Sequence, residues 1–483
     1  MHSFPHSQRF QMTLASLFAY CGIVGSCVFS STAAATDWNF SKQVALDTTF
    51  SDNINLSASD KESDVFASLT PGFVLQGNGR QLDVNLAYAP RLRYYLSESS
   101  NNRVDNNLQA NATTRFYDDR LSVDFSASAR QTFIDPFLAR GDAANNTDNV
   151  QTTYSYAIAP LLRTSLGRYA NAFLGLEQTG VFYSDQGADS YSYGANFELR
   201  SDQNYFGRLL WGVLADTERV DYDEGQNDFS SVSALLGYQL SRRLAVDLFA
   251  GYENNSYASA NDTRGFLWGG GFSWIPTPRT SLRAEFGEHY FGTTSSIDFN
   301  HRRRRSVWSA TYSRELTSAR SQAGQTPVYN FETPFGDPTI PNVDQTQPVG
   351  VDNALPNADV FIADRFNAQY ALELRRGVLT ANARYVHRDF SGAGNDQSAV
   401  QLGVDYTHQL SGKLSGLAAL NWRQTDQSGA VTSTDAERNE QVALRTGLRK
   451  NLSEHWNFDF LYQLQSGDDY TENRVTFGIA ADW

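Results

Sequence analysis

The sequence predicts an all-β protein: a transmembrane antiparallel up-and-down β-barrel of about 22 strands, with about 18 to 22 compatible, and no plug domain. Three observations lead there. From about Lys42 to Trp483 the chain alternates with period two, in segments of roughly 10 to 14 residues separated by Asn, Asp, Gly and Ser. The only long apolar run lies at the N-terminus, which excludes a bundle of membrane helices. The chain stops on an aromatic at the end of an alternating strand.

Residues 1–35 read as a cleaved secretory signal. His2, His6 and Arg9 precede an apolar stretch from Met12 to Phe29, and Ala33-Ala34-Ala35 offers cleavage after Ala35. Two other readings are a membrane anchor and lipidation of Cys27 within Val24-Gly25-Ser26-Cys27, but apolar sequence continues past Cys27 to the Ala site. Export would remove both Cys and both Met, since Met1, Met12, Cys21 and Cys27 all lie in this segment. Thiol-bound zinc, iron–sulfur clusters and disulfides are thereby excluded from the remaining chain, and no cofactor is expected. A net charge of −14, from 39 basic and 53 acidic residues, argues against a nucleic-acid partner.

The rest, residues 36–483, reads as the barrel. Leu244, Val246, Leu248, Ala250 and Tyr252 form an apolar face against Arg243, Asp247, Gly251 and Glu253. Leu82, Val84, Leu86 and Tyr88 do so against Asp83 and Asn85. Leu121, Val123 and Phe125 oppose Ser122, Asp124 and Ser126, and Trp456, Phe458, Phe460, Tyr462 and Leu464 oppose Asn457, Asp459 and Gln463. A basic side chain at mid-depth in lipid costs about 2–4 kcal/mol, so the apolar face must point outward. Short turns are expected at Gly77-Asn78-Gly79, Tyr117-Asp118-Asp119, Leu166-Gly167, Leu240-Ser241-Arg242, Leu316-Thr317-Ser318, Leu410-Ser411-Gly412 and Leu452-Ser453-Glu454. Longer external loops are expected at 135–149, 221–228, 253–262 and 425–439. With 319–331 as an upward strand and 360–374 as a downward one, the Pro-rich segment 332–358 becomes an external loop and a candidate constriction. No plug precedes the first strand, which argues against a TonB-dependent receptor.

Thr476, Gly478 and Trp483 resemble the C-terminal assembly signal of outer-membrane barrels, with Ala481 where a larger apolar residue is usual. Catalytic spacing is not found: His289, His301, His387, His408 and His455 lack zinc-helix spacing, and no nucleophile elbow or phosphate loop occurs. The protein is therefore expected to be neither an enzyme nor a metal binder.

Period two places Asp83, Arg91, Arg93, Asp124, Arg130, Asp247, Glu253, Arg283, Glu285, Arg384, Arg388 and Asp459 on the inward face as pore-lining candidates. Such residues either pair to support a polar wall or hydrogen-bond solutes in a hydrated conduit. The run His301-Arg302-Arg303-Arg304-Arg305, read at the external end of a strand, is a candidate for lipopolysaccharide phosphates or acidic sugars, or a solvated rim.

The stretch Phe299, His301, Arg302, Arg305, Trp308, Ala310, Tyr312, Ser313, Leu316, Thr317, Arg320 and Ser321, with a Pro-rich insertion and a strand resuming near Phe361, resembles the PEP-CTERM-system-associated outer-membrane proteins. These are similar to the beta-barrel porin 2 group of exopolysaccharide loci. The motif spans about 25 residues, while the likeness in architecture covers nearly the whole mature chain. The resemblance implies a porin-like conduit for exopolysaccharide export in a Gram-negative outer membrane. Its partners would be outer-membrane lipids and lipopolysaccharide, the barrel assembly machinery, and a polysaccharide export protein or inner-membrane copolymerase that delivers polymer. The alternatives are a general or uptake porin for small polar solutes, and a non-conducting surface scaffold or adhesin.

Overall fold

A computed structural model describes residues 36–134, 144–145, 149–223, 225–259, 261–324, 358–390, 396–427 and 437–483. The first strand, β1 (Thr36–Ser51), pairs antiparallel with β2 (Asp64–Gly79). Next come β3 (Leu82–Tyr88), β4 (Arg91–Tyr95), β5 (Arg103–Asp105) and β6 (Leu108–Phe116). Both β3 and β4 pair with β2 in one register, and β6 and β5 pair with them in turn. Each couple is thus a single strand, interrupted at Ala89-Pro90 and Asn106-Asn107. Pro90 has no N–H to give the ladder, and Asn107 bridges the gap by accepting the Ala89 N–H at 2.9 Å.

There follow β7 (Leu121–Phe133), β8 (Val150–Leu166), β9 (Ala170–Tyr183), β10 (Ser190–Ser201), a short helix α1 (Gln203–Phe206), β11 (Leu209–Tyr222), β12 (Gly225–Ser241) and β13 (Leu244–Asn254). The chain continues through β14 (Arg264–Thr277), β15 (Thr280–His289), β16 (Gly292–Arg302), β17 (Ser306–Ser318), helix α2 (Ala319–Gly324), β18 (Val360–Glu373) and β19 (Gly377–Asp389). It finishes with β20 (Gln397–Ser411), β21 (Leu414–Gln427), β22 (Glu437–Asn451), β23 (Trp456–Gly467) and β24 (Thr471–Asp482). β24 pairs with β1, so the 24 segments close as 22 antiparallel strands without an edge. Closure is what lipid demands, because an open edge would leave backbone groups unpaired. No plug domain is found among the described residues.

Residues directly opposed across the ladder share a face, and one parity carries round the ring from β1 to β24 and back. The outward face is apolar: Leu248 and Trp268 keep 65% and 62% of their surface exposed, which only lipid would cover favourably. Charges on this face gather at strand ends, as with Lys42, Lys450, Arg219 and Asp228. Arg314, further in, is neutralised by Asp364 at 2.7 Å, whose other oxygen accepts the Tyr312 hydroxyl at 2.8 Å.

Ten connections, nine of them of two to four residues, share one rim with Thr36 and Trp483, while the other rim carries all the connections longer than seven residues among shorter ones such as Tyr290-Phe291; the rim of short turns is periplasmic in such barrels. Four expectations are corrected by this topology. Leu316-Thr317-Ser318 is not a short turn but the outer end of β17, and 319–331 does not begin as a strand but as α2. The true turn is Arg303-Arg304-Arg305, between β16 and β17, so the His301–Arg305 cluster lies on the periplasmic rim and not at the external end. One misread turn had inverted the parity. The loop expected at 221–228 is mostly strand, because the Arg219 guanidinium clasps Asp228 at 2.8 Å and extends the ladder. Residues 1–35, the cleavage after Ala35 and segment 332–357 lie outside the described residues.

Candidate functional site: the lumen and its two mouths

Register places all twelve pore-lining candidates on the inward face, where several of them bind residues outside the set. Asp83 binds Arg115 at 2.6 Å, Arg93 binds Asp105 at 3.0 Å, and Asp459 holds Arg449 through two hydrogen bonds of 2.7 and 3.1 Å. Glu253 meets His289 at 3.0 Å, and Asp124 accepts the Thr113 hydroxyl at 2.6 Å. Arg388 lies over the Phe361 ring, 5.8 Å from its centre. Arg91, Arg130, Arg283, Glu285, Arg384 and Asp247 also face inward.

The partners Asp105, Arg115 and Arg449 were missed by sequence reasoning, as were Arg423, Arg445, Glu472 and Arg474, while His289 was read there only as a lone histidine without zinc-helix spacing. Their parity was legible. The register on the neighbouring strand that sets Asp83 beside Arg115 and Arg449 opposite Asp459 was not read, nor was the approach of His289 to Glu253 from two strands away.

The lumen changes character along its axis. Toward the periplasm its side chains are open to water, as with Arg449 and Asp459 at 46% and 32% exposed. Toward the outside they are covered: Arg388 and Glu472 are fully buried, and Arg423, Arg445 and Arg474 nearly so. Two inward-folding segments do part of the covering.

The first is α2, which leaves β17 and crosses to the wall of β9–β11. Arg320 donates to Ser190 Oγ at 2.8 Å and to Thr179 Oγ1, and approaches Glu218 to 3.6 Å. Burial lowers its pKa, while Glu218 raises it. Phe361 and Ala363, beneath it on β18, form a small core with Ala319 and Phe390. On the far side of the Pro-rich segment, the Ala358 carbonyl accepts Asn227 Nδ2 of β12 at 3.1 Å. Arg320 was quoted from the sequence only as part of a resemblance. Its role as a strut across the lumen could not be seen there.

The second is Ala144-Asn145, between β7 and β8. The Ala144 carbonyl accepts the Tyr95 hydroxyl at 3.1 Å, and Asn145 donates to the Ile54 carbonyl at 2.9 Å and to Glu472 at 3.1 Å. Glu472 also accepts from Arg474 at 2.8 Å and from Ser51 and Gln465, so its buried charge is matched by donors.

The C-terminal strand closes the ring. Trp483 faces outward at the periplasmic rim, exchanging backbone hydrogen bonds of 2.8 and 3.0 Å with Lys42. Thr476 and Gly478 face inward, Thr476 bonding Thr49 at 2.9 Å. A Cβ at Gly478 would collide with the Asp47 carboxylate, which accounts for a Gly there. Ala481 lies opposite Trp456, and it is buried. Among the described residues no group of His, Cys, Asp and Glu is arranged to hold a metal.

The sequence matches no protein-family model and no curated protein sequence. Solved structures do match in fold. The siderophore receptor PirA from Acinetobacter baumannii superposes with a TM-score of 0.51 at 9% identity, over 92% of this chain and 80% of that one. The ferric enterobactin receptor PfeA in complex with BCV-L6 gives 0.50 at 11% identity, over 92% and 81%. A loop-deletion mutant of OmpT, an outer membrane protein of Vibrio cholerae, matches at 0.32 and 10% identity over 93% and 100%.

The class that fold and lumen define is a closed outer-membrane β-barrel. Its place is the bacterial outer membrane.

Proposed function

We propose that the barrel is a conduit that exports polysaccharide across the outer membrane, as the resemblance to the PEP-CTERM-system-associated proteins implies. The observation that supports it most is the lumen, a closed ring of 22 strands whose inner face is polar, open toward the periplasm and narrowed toward the outside by α2 and Asn145. Barrels of 16 to 18 strands already hold an aqueous channel, so this ring has room for a hydrated polymer. Its inward arginines hydrogen-bond hydroxyls and carboxylates, and inward rings such as Phe249, lying over Gly269, offer stacking faces for sugars. A polysaccharide export protein or an inner-membrane copolymerase delivers the polymer on this reading, and the assembly machinery reads β24.

Deleting the gene and measuring surface polysaccharide is the test, with loss of polymer expected. Unchanged polymer with slower entry of small polar solutes would reject export in favour of an uptake porin. Planar-bilayer conductance of the refolded protein is expected to be finite, and a sealed barrel would leave only a scaffold or adhesin role.

A further inference from the structure

The periplasmic rim is unevenly charged. Five successive short turns, from β12–β13 to β20–β21, present Arg242 and Arg243, Arg279, Arg303–Arg305, Arg375 and Arg376, and Lys413. All are exposed, and the one acidic residue beside these five turns is the exposed Glu373 at the end of β18, although the chain as a whole carries −14. None of these cations forms an ion pair with a described residue, and Arg303 reaches only the His301 ring, at 3.3 Å. On the rest of the rim the turns are mixed in sign: Arg80 lies 3.8 Å from Asp118, Asp119 follows, and Glu454 occupies the β22–β23 turn beside the arc.

Three occupants suit a basic rim, and geometry separates them. A phospholipid leaflet surrounds the barrel on every side, so headgroup contacts would call for cations all round rather than along an arc. A docked protein needs buried apolar or aromatic anchors at its centre. Here the turns offer only Pro278 and Leu374. A linear polyanion needs neither. Neighbouring hairpin turns are two strands apart, roughly 10 Å, so the arc presents a row of cationic groups at a repeating interval. Guanidinium forks match carboxylates in bidentate fashion, without any pocket.

The geometry points to a docking track for an acidic polysaccharide, a chain bearing carboxylates, along the β12–β21 arc of the periplasmic mouth. The inference rests on the conduit reading above and adds the charge class of the polymer and the side on which it is gathered. The arc lies beneath the opening of the exposed half of the lumen, where a polymer arriving from the periplasm first meets the protein. Association should be steered by charge and weakened by salt.

The test uses the full barrel in phosphatidylcholine nanodiscs, with polygalacturonate and neutral dextran of similar length as probes. Polygalacturonate is expected to bind and dextran not, with affinity falling at least about tenfold between low salt and about 0.5 M. A variant carrying Arg242→Gln, Arg243→Gln, Arg303→Gln, Arg304→Gln and Arg305→Gln is expected to lose at least about tenfold in polygalacturonate affinity. These are exposed turn positions, and unchanged heat-modifiable migration on gels verifies the fold. Equal affinity in the variant, or equal binding of dextran, would overturn the track. Absence of polygalacturonate binding together with arc-dependent binding to phosphatidylglycerol vesicles would overturn it in favour of lipid headgroups. Binding is read on the isolated protein and export on the deletion strain, so the two ideas fail separately: export without polygalacturonate binding removes the track and leaves the conduit.

Discussion

The outer and periplasmic halves of the lumen are made by the same strands with the same alternation, yet they are built differently. In the periplasmic half, ion pairs such as Arg449–Asp459 stand in water. In the outer half, Glu472 and Arg474 lie under Asn145, and Arg320 is sunk among Thr179, Ser190 and Glu218. The difference teaches that strand pattern alone sets polarity, whereas burial comes from segments that leave one wall and settle on another. Exposed pairs gain little because water competes for both partners. Buried ones cost heavily if either partner is lost.

The largest expected effect tests the outer half. Arg474→Ala leaves Glu472 with one donor fewer in a fully buried position, and should cost about 3–5 kcal/mol in denaturant unfolding of the refolded barrel. A loss below about 1 kcal/mol would mean that the outer half is as loosely organised as the other.

Next, Arg320→Ala removes the strut that holds α2 against β9–β11. Single-channel conductance should rise about twofold or more, since the helix would no longer be fixed across the lumen. Unchanged conductance would show that α2 does not narrow the path.

The smallest effect belongs to the periplasmic half. Asp459→Asn should change stability by less than about 1 kcal/mol, because both members of its pair are solvated. A cost as large as that of Arg474→Ala would erase the contrast between the halves.

Much of the architecture is legible in the sequence. Alternation at Leu244–Tyr252 and Trp456–Leu464 gave the faces correctly, and the expected number of about 22 strands matches the ring, although 319–331, expected as a strand, begins as α2. The broken couples β3/β4 and β5/β6 did not disturb it, since register is continuous across Pro90. The failures were of another kind. Leu316-Thr317-Ser318 has the composition of a turn but is held as strand by pairing with Val360, Phe361 and Ile362. That single slip moved the arginine run from one side of the membrane to the other.

The sequence by itself determined which side chains face lipid and which face the lumen, because side-chain direction in a strand is local and repeats every two residues. Tertiary structure alone decided which rim carries Arg303–Arg305, where Arg320 is anchored and what covers Glu472. Those depend on ring closure and on register summed over many strands, so residues far apart in sequence fix them together. Asn145 and Glu472, 327 positions apart, are joined in the outer lumen for that reason.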